Sequence, residues 1–526
     1  MKFVAKVVNA DGGHPAYLMQ IKGAGGVWKE IEIPVTFTLN ASRLARHLIE
    51  RGVELYSNDA SKRVADFLRT CNGGNTLLRA ERDGWFNDGQ KQSYVFGDEC
   101  FSDRAERVIR AQPKTRASAG TLADWVGFTA LCRGNPLMIV PLCFAFASGL
   151  LKLFGRSGIC VNLVGASSTG KSTILRLLQA LTGSPDCLAN WEATANGLEA
   201  YAAQHRDLPV VIDELGQSDI ASFGQSVYRM TNGSGRLRAK SDGSLVEQTQ
   251  LSTVIISAGE ESPADRIRRS GKQALAGQLA RFITLPVNGR YGAFDNLHGE
   301  SDGAAFSARV RSKLSEVHGV AWRAFVQHIA ANTPAVRRTH VAQYRDLQTA
   351  IGEGCRLDAS DGVQQRVLEQ FAFAAFSAFV AIDAGVLEIK RGEVAAAMCG
   401  SFADWLKQYR ADARTPDDEI AEAVRDLVVK YRNRLPLYSA FCDADRDTQI
   451  GFTHTHDGVD MVLLLPQAMR KINEEYGKKA VKSALVRKGL LILGLEGRPT
   501  SQFVVPGHAS LKPSTYALRK DTIFAE

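Results

Sequence analysis

Short, almost uninterrupted apolar runs alternate along this chain with longer stretches of helical spacing. Ile159-Cys160-Val161-Asn162-Leu163-Val164, Leu208-Pro209-Val210-Val211-Ile212, Thr253-Val254-Ile255-Ile256 and Phe282-Ile283-Thr284-Leu285 each read as a strand. Strands this apolar suit a parallel sheet covered on both faces. Thr173-Ile174-Leu175-Arg176-Leu177-Leu178 has helical spacing. The predicted fold class is α/β, a mostly parallel sheet with helices on both faces.

The flanks differ from this central block. Residues 1–115 read as a mixed α/β unit: strands at 3–8 and 27–33, helices at 41–52 and 61–71, and a hairpin at Gly84-Trp85. The basic stretch 104–120 reads as a solvated linker, with a nucleic-acid site as the alternative. The central block then spans 116–411. In 412–526 the pattern predicts a helix at 420–431, a strand at 461–465 and a lysine-rich helix at 481–489. Two strands, 490–493 and 502–505, are predicted to close around 494–499. Helix, helix, β-wing is the winged-helix order. Lys478, Lys479, Lys482, Arg487 and Lys488 lie on or beside its candidate helix, and DNA binding and protein contact both stay open.

The most informative local pattern follows the first central strand. Gly165-Ala166-Ser167-Ser168-Thr169-Gly170-Lys171-Ser172 is a complete phosphate-binding P-loop, continued by Thr173 into a helix. Successive N–H groups and the helix N-terminus form an anion nest. In that nest Lys171 would neutralise phosphate charge and the Ser172 hydroxyl would ligate Mg²⁺. Downstream, the strand 208–212 ends in Asp213-Glu214. Asp213 suits a place beside the same Mg²⁺ and Glu214 suits polarising the attacking water, which points to ATP hydrolysis.

At 526 residues the length suits about three domains, and a 45% apolar fraction supports large cores. The net charge of +8 is compatible with a nucleic-acid partner without requiring one. Nine cysteines occur with no Cys-x-x-Cys pair, which argues against a zinc ribbon and suggests reduced thiols in a cytoplasmic setting. The first residues, 1–6, carry no signal-peptide apolar region. The apolar stretch 136–151 is too short to span a bilayer and contains two prolines. It is expected to be a buried helix under the core, and no membrane partner is expected.

Three further features suggest a motor. Arg236, Arg238 and Lys240 share one face of a strand that leads to an Asp242-Gly243 turn. This basic hairpin suits a nucleic-acid-gripping pore loop, and a solvated surface hairpin is the plain alternative. Ser257, at the tip of the strand 253–256, is a candidate sensor of the γ-phosphate. Arg281 immediately precedes a strand and is a candidate arginine finger for a neighbouring subunit, with Arg268 and Arg269 as competitors.

The matching stretches are Gly84-Trp85, 120–125, 133–135, the P-loop, 194–199, 212–217, 228–233, 257–260 and 276–281. In this order they resemble the bacterial and phage family catalogued as domain of unknown function nine-two-seven. The P-loop core is similar to the replicative helicases of staphylococcal cassette elements and, more distantly, to minichromosome-maintenance helicases. The resemblance resumes at 363–367, where it implies Arg366 as a sensor-2 arginine, and runs from about residue 80 to the end. The first 80 residues match weakly. It implies a hexameric AAA+ ATPase, a DNA helicase of a phage or mobile element engaged in DNA replication on single-stranded or forked DNA. An initiator or primase is an implied partner. An ATPase that remodels or loads a protein, and a nucleotide-gated defence assembly, are the alternatives.

Overall fold

The computed structural model describes residues 1–526 except 10–14, 23–25, 58, 72–75, 81, 88–91, 103–107, 111–115, 193–194, 215–230, 232–252, 263, 267–281, 359, 413–415, 443–448 and 525–526. The chain divides into two compact units, Met1–Leu406 and Lys407–Glu526.

The first unit opens with a sheet of β1 (Lys2–Asn9), β2 (Ala16–Lys22), β3 (Trp28–Pro34), β4 (Thr76–Ala80) and β8 (Val108–Arg110), in the order β3-β2-β1-β4-β8. Helices α1 (Ala41–Glu50) and α2 (Ala60–Thr70) cover one face, where Leu44, Leu48 and Leu68 pack on Met19, Ile31 and Ile33. Asn40 caps α1 by accepting the Arg43 N–H at 3.0 Å. Strand β2 was not legible in the sequence. Residues 108–110, read as linker, instead pair in parallel with β4.

A three-stranded antiparallel sheet follows: β5 (Gly84–Asn87), β6 (Gln92–Phe96) and β7 (Glu99–Ser102). It is locked to the core by buried polar contacts. Trp85 donates its N–H to Asp207 Oδ2 at 3.0 Å and its Nε1–H to the Gly149 carbonyl at 2.7 Å. The Tyr94 hydroxyl donates to the Asp207 carbonyl and accepts from Trp322 Nε1. Gly84 sits at φ 108°, and a Cβ there would lie 2.6 Å from Asp207 Oδ2, so the Gly-Trp pair is a docking device.

The central sheet holds β9 (Ile159–Val164), β10 (Ala189–Asn190), β11 (Pro209–Asp213), β12 (Val254–Gly259) and β13 (Phe282–Pro286). It is parallel throughout, ordered β10-β11-β12-β9-β13. Helices α3 (Leu122–Thr129), α4 (Pro136–Ala147), α5 (Lys171–Ala180) and α6 (Ala195–Gln204) belong to this block. Residues 137–147 of α4 are all buried, and Phe144 meets Phe371 edge-on at 5.3 Å. The stretch 136–151 therefore contributes a core helix, as its length predicted. Among the described residues no helix is long and apolar enough to cross a membrane. Four helices follow the sheet: α7 (Gly303–Glu316), α8 (Ala321–Gly352), α9 (Gly362–Asp383) and α10 (Arg391–Asp412).

The second unit carries α11 (Pro416–Tyr431), β14 (Gly451–His456), β15 (Val459–Leu464), α12 (Arg470–Tyr476), α13 (Lys478–Arg487), β16 (Leu491–Ile492), β17 (Ser501–Gln502) and β18 (Ser514–Arg519). The strands expected to pair around 494–499 instead both pair with β18. A two-strand wing buries little on its own. The wider sheet β14-β15-β18-β16 gives Leu464, Leu491 and Leu518 a shared core with Val481 and Leu485 of α13. Two of the five basic residues near α13 are engaged on α11: Arg487 with Asp417 at 2.6 Å and Lys488 with Asp418.

Candidate nucleotide site

Strand β9 delivers the chain into the loop 165–170, and the glycines of that loop are dictated by space. Gly170 has φ 95°, and a Cβ on it would meet the Phe294 ring at 2.7 Å. A Cβ on Gly165 would meet Val287 at 2.8 Å. The segment after β13 braces the loop from outside: Ala293 donates its N–H to the Thr169 carbonyl at 2.8 Å, and Val287 donates to the Val164 carbonyl at 2.7 Å. Lys171 begins α5 and bends back over the loop, its ammonium donating to the Gly165 carbonyl at 2.8 Å and the Ala166 carbonyl at 2.5 Å. Partial burial pulls its pKa below the ordinary lysine value, while the Glu260 and Asp213 carboxylates push the other way.

The sheet order brings in the carboxylates. Strand β12 lies between β9 and β11, so the loop and the Asp213 strand end stand two strands apart with the end of β12 between them. Asp213 is half-buried, and its Oδ1 accepts the Glu214 N–H at 2.8 Å. Glu214 is exposed at φ 58°, a left-handed conformation that a glutamate rarely adopts.

These residues line one cleft of about 620 Å³. Residues 167–173 form one wall, Asp213 and Glu214 another, residues 258–261 the floor between, and Ala304, Ser307 and Arg311 of α7 the far side. The volume lies within the roughly 300–1,000 Å³ usual for small-ligand sites. The donor set fits a magnesium–polyphosphate group: loop N–H donors, the ammonium of Lys171, the Ser172 hydroxyl and the Asp213 carboxylate.

The other candidates fall elsewhere. Ser257 is only 1% exposed and does not line the cleft; its hydroxyl accepts the Trp191 Nε1–H at 2.8 Å. It stands in register with Asn162 and Ile212, on the sheet face that packs Trp191, Leu198 and Ala202. Arg366 is exposed in the first turns of α9 and is not among the lining residues. Arg236, Arg238, Lys240, Arg268, Arg269 and Arg281 lie outside the described residues. Sequence reasoning missed Glu260 and Glu261, visible only as a carboxylate pair just past a strand end, and Arg311, which no local pattern marks. Glu261 also holds buried Arg266 at 3.1 Å.

Residues 1–250 match the family model described as Domain of unknown function (DUF927). The resemblance drawn from the motifs is thereby shown, with a different reach. The match begins at residue 1 and includes the first 80 residues, and it ends within the central block. The fold is similar to that of a solved protein, "SCCmec type IV Cch - active helicase", with a TM-score of 0.63, 17% identity, and coverage of 99% of this chain and 93% of that one. At that identity the likeness is one of fold, and it extends over both units of the DUF927-matching chain. No curated protein matches the sequence.

Proposed function

We propose that this chain is an ATP-hydrolysing AAA+ motor, a cytoplasmic homo-hexameric DNA helicase of a phage or other mobile element. The observation that carries this reading is the meeting of Lys171, Ser172, Asp213 and Glu214 in one cleft. The parallel sheet, with the loop strand inside it and four helices after it, supports the AAA+ assignment. The fold likeness to a protein called an active helicase supports the choice of motor. In the second unit, read as a winged-helix-like module, Lys478, Lys479 and Lys482 form no ion pair among the described residues and would serve a partner, DNA or protein.

In the proposed reaction, residues 165–170 and Lys171 hold the phosphates by N–H donors and a single cation. Ser172 and Asp213 would hold Mg²⁺, which offsets phosphate charge. Glu214 takes a proton from the attacking water, and Arg281 of a neighbouring copy stabilises charge on the transferring phosphoryl group.

The test is the ATPase rate with and without single-stranded DNA, alongside unwinding of a forked duplex. Stimulation and unwinding together support the helicase. Hydrolysis without either points to an ATPase that remodels or loads a protein, such as an initiator or primase, and nucleotide binding without turnover points to a gated assembly.

Two expectations follow for residues outside the described set. Arg281→Ala is expected to keep nucleotide binding and lose about a thousandfold in turnover, as removal of an arginine finger does. Mixing it with Lys171→Ala chains should restore part of the activity, because each chain then supplies what its neighbour lacks. Absence of restoration in mixed assemblies would remove the action in trans, and parental turnover in Arg281→Ala would pass the finger role to Arg268 or Arg269. Arg238→Ala combined with Lys240→Ala should keep basal ATPase, weaken DNA binding across sequences and flatten its salt dependence. Unwinding at the parental rate in that variant would remove the pore-loop role.

A further inference from the structure

Helix α7 presents one face to the nucleotide cleft. Ala304, Ser307 and Arg311, spaced three and four apart, all line it. Asp302 fixes the start of this helix, its Oδ1 accepting the N–H groups of Ala304 and Ala305 at 2.9 and 2.8 Å. The helix is anchored from behind by buried Phe306, Val310 and Leu314. Its position is therefore set by packing, and the side chain at 311 is delivered to the cleft by a rigid element.

The basic residues beside it on the helix are committed to internal pairs. Arg309 reaches Glu300 at 3.1 Å and Lys313 reaches Glu316 at 2.8 Å. Arg311 is exposed, and among the described residues none makes an ion pair or hydrogen bond with it. Among the described residues, the cleft it enters is lined by four carboxylates, Asp213, Glu214, Glu260 and Glu261, and by one other cation, Lys171. A highly charged polyphosphate meets few positive groups there, and a guanidinium suits phosphate oxygens through paired N–H donors.

We infer that Arg311 is a phosphate-contacting arginine acting on the nucleotide bound by its own chain, engaging the terminal phosphate opposite Lys171. This rests on the nucleotide-site reading above and adds a second cation from the same subunit. It differs in kind from Arg281, which would act on a neighbour. Contact with the terminal phosphate makes affinity depend on whether that phosphate is present. Arg311 thus distinguishes the triphosphate from the diphosphate.

Equilibrium binding of fluorescent ATP and ADP analogues to the full chain, with Mg²⁺, tests this. Arg311→Ala should weaken ATP about tenfold or more while leaving ADP within about twofold, the loss of one charge-assisted contact. Arg311→Lys should recover part of the ATP affinity, because charge returns without the paired donors. Arg309→Ala, on the same helix but outside the cleft, should bind both nucleotides like the parent. Equal weakening of ATP and ADP in Arg311→Ala, or no weakening, would overturn the assignment. If Lys171→Ala binds ATP as well as the parent does, the nucleotide site itself is wrong. If Lys171→Ala loses binding and Arg311→Ala does not, only the Arg311 role fails.

Discussion

Glu214→Gln is expected to bind ATP with near-parental affinity and to hydrolyse it a hundredfold or more slowly, in line with the roughly 10²–10⁴-fold worth of a positioned general base. The substitution keeps the size of the side chain. The backbone N–H that Asp213 Oδ1 accepts at 2.8 Å is also retained, so the strand end should hold its shape. What is lost is the charged oxygen able to take a proton from water. The measurement is single-turnover hydrolysis together with nucleotide binding on the same preparation. Parental turnover would remove Glu214 as the base and pass the role to Glu260, the next carboxylate in the cleft and one that already acts electrostatically on Lys171.

Lys171→Ala is expected to fail one step earlier, at binding. The ammonium is a phosphate cation in the proposed reaction and also holds the loop, donating to the carbonyls of Gly165 and Ala166. Removing a charged hydrogen-bond donor costs about 1.5–3 kcal/mol, or roughly a ten- to hundredfold loss of affinity. Release of the loop carbonyls should add to that loss. The braces from Ala293 and Val287 survive in the variant, so the thermal unfolding midpoint should shift little while ATP binding collapses. A large drop in that midpoint would show that Lys171 is chiefly a structural clamp, and affinity near the parent's would remove it from the phosphate site.

Much of this site was legible because its chemistry is written in contiguous residues. A loop of small residues ending in Lys171-Ser172 needs a strand before it and a helix after it, and β9 and α5 supply them. Asp213 and Glu214 close an apolar strand, and no tertiary knowledge is needed to see them as a pair. The same locality explains the errors. Strand β2 has partners on both sides that only the sheet reveals, and the pairing of β16 and β17 with β18 joins segments whose own patterns do not name each other. Ser257 shows the sharpest limit. It was expected at the tip of a strand ending at 256, but β12 runs on to Gly259, so Ser257 lies within the strand, and with successive side chains on opposite faces its own face belongs to Trp191.

The sequence by itself determined the glycine-bounded loop after β9, the lysine that follows it, the paired carboxylates and the alternation that makes a parallel sheet, since each follows from neighbouring residues and the period of one element. Only the tertiary structure decided which strand lies between loop and carboxylates, that Glu260, Glu261 and Arg311 join them, and that residues 287–294 brace the loop from behind. The physical reason is that parallel strands and their crossover helices bring together residues far apart in the chain. Which of those residues face each other depends on the order and packing of the whole sheet.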